Sequence, residues 1–155
     1  MDLDPEWKKR VEEKLLQEEG QREEKKYLLK LILKMIKFKS LNRSKDFIKI
    51  LKKKRIDTKY FTIFFDKNLK NINKYLNISF VMKKNVGNAV TRNRIKRKLK
   101  YAVQKISKES KLIDLNYTYV ILGKNNVYKD KFADVFGKVN ETFKKIKQID
   151  YQSWN

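Results

Sequence analysis

Hydrophobic and polar positions along the chain repeat with two different periods, and each change of period marks an element. From Ala89 to Lys108 the apolar residues Ile95, Leu99, Ala102, Val103 and Ile106 fall at i, i+4, i+7, i+8 and i+11, one side of an α-helix. Phe132, Val135, Phe136, Val139, Phe143 and Ile146 draw a second such stripe and predict a last helix over roughly Lys129 to Lys147. A shorter helix opens at Ser44, a residue suited to capping, carries Phe47, Ile50 and Leu51 on one side, and gives way to the basic run Lys52 to Arg55.

Strand patterns lie between these helices. Lys59 to Asp66 is β-branched and aromatic, apolar on both parities, and therefore covered on at least one face. The polar loop Lys67 to Lys74 joins it to Leu76 to Met82, which predicts an antiparallel pair. Tyr117 to Gly123 supplies a third strand, and Gly87-Asn88 breaks the chain before the long helix. Helices on a small mixed sheet define an α+β fold, a two-layer sandwich.

Residues 1 to 34 follow another pattern. Their Lys and Arg side chains number nine and their acids nine, alternating as in a solvated helix, with Asp4 as a cap before Pro5. The expected organisation is a charge-balanced helical extension (1–34), a basic α+β domain (35–148) and a tail (149–155).

Charge changes the picture for the domain alone. The chain holds 40 Lys+Arg against 18 Asp+Glu, net +22, and all of that excess falls in residues 35–155. Such a field favours polyanions, nucleic acid before an anionic membrane surface. Lysine abundance alone argues little, because an AT-rich genome produces it too. Arginine clustering escapes that bias: Arg92, Arg94 and Arg97 are three of seven arginines and sit within six residues.

On the long helix Asn93, Arg97, Lys100 and Gln104 lie opposite the apolar stripe. Arg94, Lys98 and Tyr101 flank it on one side and Lys96 on the other, while Arg92 sits nearer the core edge. Between Ala89 and Lys108 there are eight cations and no acid, so the face repels itself unless a polyanion covers it. Arginine adds bidentate phosphate contact. The helix N-terminus after Gly87-Asn88 offers free N–H groups to a further phosphate.

Cysteine and histidine are absent, which removes thiolate chemistry, the commonest zinc ligand and the usual neutral-pH acid-base group. The nine acids of residues 35–155 are scattered, and Asp2 and Asp4 lie in the extension. No catalytic residue and no protein-bound metal are therefore expected. No apolar run reaches about 18 residues, the length of a spanning helix, so a cytoplasmic location is expected.

The stretch "KKNVGNAVTRNRIKRKL" resembles the signature of the bacterial ribonuclease P protein component. Lys84, Val86, Gly87, Asn88, Arg92, Asn93, Arg94, Lys96 and Arg97 match it, and Asn85 departs from it where the family has a second lysine. The resemblance covers about Phe38 to Lys147. It implies an α-β-β-β-α-β-α order, like the second domain of a small-subunit ribosomal protein, with a left-handed β-α-β crossover against the usual rule. It further implies removal of the 5′ leader from precursor tRNA, with the catalytic RNA supplying the active site and its Mg2+. Lys84, Asn88, Arg92, Asn93, Arg94, Lys96, Arg97 and Lys98 would meet the ribonuclease P RNA. A cleft between the first helix and the sheet would hold the leader of precursor tRNA through Phe47, Phe64 and Tyr60, with Leu51 where the family has another aromatic.

Two other classes share the basic surface. A ribosome-associated structural protein would bind folded RNA without preferring leader-bearing tRNA. A DNA-binding protein would need a helix placed for major-groove readout, whereas cations surround most of the exposed arc here. Neither DNA nor a membrane is expected as a partner.

Overall fold

The computed structural model describes residues 5–33, 37–68 and 75–153, in two compact units that divide after Met35. The first unit is helix α1, Pro5–Leu33, with an exposed ion pair of Arg10 and Glu6 at 3.7 Å. Asp2 and Asp4 lie outside the described residues. Among those described, no helix is long and apolar enough to cross a membrane.

The second unit runs β1 (Lys37–Lys39), α2 (Ser44–Leu51), β2 (Lys54–Asp57), β3 (Phe61–Lys67), β4 (Tyr75–Met82), a single 3-10 turn, α3 (Ala89–Glu109), β5 (Tyr117–Gly123), α4 (Asn126–Lys129) and α5 (Phe132–Gln152). Five strands form one mixed sheet in the order β1-β4-β5-β3-β2. The expected antiparallel pair of β3 and β4 does not form. β5 lies between them, antiparallel to β3 with Phe64 opposite Val120, and parallel to β4 with Ser79 opposite Val120. The reason is burial: β5 is apolar toward both faces, and only the central position covers both. β1 and β2, each with two basic residues and no strand pattern strong enough to read, take the two edges, where charge discourages further pairing.

Alternation along the strands sorts the core. Phe61, Ile63, Phe65, Leu76, Ile78, Tyr119 and Ile121 face α3 and α5, and all five apolar positions of the α3 stripe are buried against them. Burial of each such side chain stabilises by about 1.5–3 kcal/mol. Tyr119 meets Phe143 edge-on at 5.4 Å, and its hydroxyl donates to the Asp114 carbonyl at 3.0 Å. On the opposite face Ile50, Phe64 and Val120 make a smaller cluster with Leu41, Phe47, Val81 and Leu122, so α2 adds a short third layer to the expected two.

The helix ends differ from the sequence reading in two places. Arg43 occupies the N-cap of α2 and Ser44 is its first helical residue, with no side-chain cap. The last helix starts at Phe132 and continues through Gln152, taking in most of the expected tail. Tyr117 fastens that extension by donating to Asp150 Oδ1 at 2.6 Å.

Candidate nucleic-acid interface

The interface is set by the turn that launches α3. Gly87 has φ +152° and ψ −173°, a combination side chains rarely adopt, and a Cβ there would stand 3.0 Å from Thr91 Cγ2. Asn88 then caps the helix, its side-chain oxygen accepting from the Thr91 N–H at 2.9 Å. The cap occupies one of the N–H groups that the sequence pattern leaves open to phosphate. Lys84, in the preceding turn, is exposed.

With Ile95, Leu99, Ala102, Val103 and Ile106 locked into the core, the helix can present only its other residues outward. Asn93, Arg94, Lys96, Arg97 and Lys100 are all exposed. Arg92 is half-buried, and its Nε is buried with no hydrogen-bond partner among the described residues. Burial of such a donor costs about 1–3 kcal/mol. Lys98 is committed inward, donating to the carbonyls of Val127 at 2.8 Å and Asp130 at 2.5 Å.

That commitment fixes α4 beside α3 and creates contacts that sequence reasoning misses. The Arg94 guanidinium lies 5.9 Å from the centroid of the Tyr128 ring and donates to its hydroxyl at 3.4 Å. Further along, Tyr101 packs on Phe132 at 5.3 Å and Lys105 lies 4.9 Å from the Phe136 ring. The clue in the sequence is slight, a Tyr-Lys pair after the strand, because its partners are about 30 residues away.

The candidate cleft is only partly assembled as expected. Phe47 and Phe64 share the cluster under α2, and Leu51 stands at the end of that helix, 42% exposed. Phe64 itself is 7% exposed, a core residue at the base of the cleft. Arg55 of β2 is its register partner and is exposed, and Lys53 pairs with Asp66 at 3.6 Å. Tyr60 does not join them. It packs into the α3/α5 core and donates to Asp130 Oδ2 at 2.8 Å, which pushes its hydroxyl above the ordinary tyrosine range. Residues 69–74 of the expected phosphate-contacting loop lie outside the described residues.

Asp130, the acid beside the Lys98 end of the basic arc, is neutralised locally. Asp130 accepts from Lys59 at 2.7 Å, and this bond, followed by that from Tyr60, holds its carboxyl below the usual range. Among the described residues no three acids gather where a metal ion would fit.

Comparison with known proteins bears on the same region. The family model described as Ribonuclease P matches residues 35–147, and the chain belongs to this family. It is 37% identical over 70 residues to the ribonuclease P protein component of Gluconacetobacter diazotrophicus, a match covering 44% of this chain and 57% of that protein. The chain thus spans just over half the length of that relative. The counterpart from Streptococcus thermophilus is 29% identical over 86 residues, covering 56% of this chain and 70% of its own. Among solved structures, the RNase P protein of Thermotoga maritima superimposes with a TM-score of 0.57 at 22% identity, over 69% of this chain and 96% of that one. The Staphylococcus aureus RNase P protein gives 0.56 at 20% identity, over 70% and 94%. These likenesses establish the fold.

Proposed function

We propose that this chain is the protein subunit of a ribonuclease P ribonucleoprotein, which removes the 5′ leader of precursor tRNA. The observation that carries the reading is the exposed arc of α3, where Asn93, Arg94, Lys96, Arg97 and Lys100 face outward from a helix without an acid before Glu109. Membership of the family supports assigning that arc to the ribonuclease P RNA. The partly covered sheet face beside α2, with half-buried Phe47, exposed Leu51 and exposed Arg55, is the surface for an unpaired leader.

The protein contributes affinity and charge screening, not bond cleavage. In this reading the Mg2+ ions of phosphodiester chemistry are held by the RNA. Cations on the α3 arc reduce phosphate repulsion between the RNA and its substrate, which matters most when magnesium is scarce.

The test is cleavage of a 5′-leader precursor tRNA by the cognate RNA at low magnesium, with and without the protein. A large gain with protein, and no cleavage by protein alone, is expected. Tight RNA binding without any gain would replace this reading with that of a structural, ribosome-associated RNA-binding protein.

A further inference from the structure

The geometry points to a nucleotide site beside α3: we propose that Tyr128, with Arg94 and Lys129, receives one unpaired nucleotide of the ribonuclease P RNA. The inference rests on the α3 reading above and adds to it a residue outside the Arg-Asn-Arg signature. A shallow cavity of about 470 Å3 is lined by Arg94, Lys98, Tyr128 and Lys129, three cations and an aromatic ring. No acid lines it, and the nearby Asp130 carboxylate is engaged by Lys59 and Tyr60.

Each member has a definable part. Lys98 is held by two backbone carbonyls of the α4 region, so it builds the wall instead of reaching a ligand. Val127, fully buried, anchors α4 to the core, and the next residue, Tyr128, is left 44% exposed. Arg94 and Lys129 are exposed, and both are free of acidic partners among the described residues. A ring held against a guanidinium, beside a second cation, suits a base on the aromatic and a phosphate on the charges. Duplex RNA has no base face to offer at such a site, so an unpaired nucleotide is required.

The experiment measures affinity for a transcript of the cognate ribonuclease P RNA, without precursor tRNA, as a function of salt, for wild type, Tyr128→Ala, Tyr128→Phe and Arg94→Ala. Loss of one stacked base weakens Tyr128→Ala by roughly tenfold while leaving the salt slope unchanged, because no charge is lost. Tyr128→Phe keeps the ring and stays within about twofold of wild type. Arg94→Ala weakens binding and flattens the slope. If Arg94→Ala weakens binding and Tyr128→Ala does not, the nucleotide site is overturned and the α3 interface stands. If neither has an effect, the α3 reading itself falls.

Wild-type protein provides the control for folding. Transcripts carrying 4-thiouridine are cross-linked and digested with trypsin, and the peptide Asn125 to Lys129 is expected to carry the adduct at Tyr128. Adducts on α3 peptides with none on this one would overturn the site independently of any variant.

Discussion

Phe64 of β3 and Val120 of β5 are register partners at the middle of the sheet, both buried beneath α2. The pair forms the floor of the proposed leader cleft, and it is also the core of that face. Phe64→Ala is therefore expected to cost about 3 kcal/mol in denaturant unfolding, the usual loss for a buried aromatic. Phe47, half-buried on α2, is the better probe of the leader. Phe47→Ala should lower the preference for precursor over mature tRNA with a smaller effect on stability, and an unchanged ratio would remove it from the cleft.

Arg92 and Arg94 are expected to behave differently despite their spacing. Arg94→Ala should leave the melting temperature unaltered and reduce the slope of log affinity against log salt by roughly 0.7–0.9, one phosphate contact. Arg92→Met keeps the aliphatic stem and removes a buried donor that has no partner among the described residues, so stability without RNA should hold or rise while RNA affinity falls. Thermal melts beside filter binding decide both; a large drop in melting temperature for Arg92→Met would contradict the burial argument.

Gly87→Ala should be costly for a helix-start position. The φ of +152° and the 3.0 Å approach to Thr91 Cγ2 predict a loss of about 1–3 kcal/mol, with weaker RNA binding because α3 begins in the wrong place. Gly20 lies inside α1 with nothing but its own helix backbone near an added methyl group, so Gly20→Ala is the contrasting control, neutral or stabilising when both variants are compared by calorimetric unfolding.

Acid stability has a definite sign. Hydrogen bonds from Lys59 to Asp130, from Lys124 to Asp57 and from Lys145 to Glu141 depress the three carboxyls, Glu141 to about 2. Groups with depressed native pKa values contribute stability that is complete above the ordinary carboxylate pKa of about 4 and is lost as pH falls through the native values. Melting temperature should thus hold down to about pH 4 and decline below it. Asp130→Asn should lower it at neutral pH by a small amount and flatten part of the acid limb, whereas an unchanged limb would mean that the Lys59 and Tyr60 bonds to Asp130 carry no stability.

What can be read in the chain is local. Five residues of α3 repeat at helical spacing over three turns, and all five are buried, because a single helix face is set by positions a few residues apart. Its outward arc follows from the same geometry, so Asn93, Arg94, Lys96 and Arg97 are legible as surface cations and polar groups without any knowledge of the fold. The strand segments β3, β4 and β5 are legible for the same reason.

Pairing is not legible, because it depends on which strand has most to bury. β5, about 50 residues after β3, takes the place between β3 and β4, since both of its faces are apolar and the sheet covers both only at its centre. The order of residues is enough to define α2, α3 and α5, the strands β3, β4 and β5, the buried side of α3 and the excess of positive charge on its outer arc. Packing in three dimensions was needed to turn Tyr60 from the cleft to Asp130, to spend Lys98 on α4, and to bring Tyr128 to rest against Arg94. Each of those contacts joins residues 29 or more apart, and a side chain chooses among such partners only when the fold has brought them within reach.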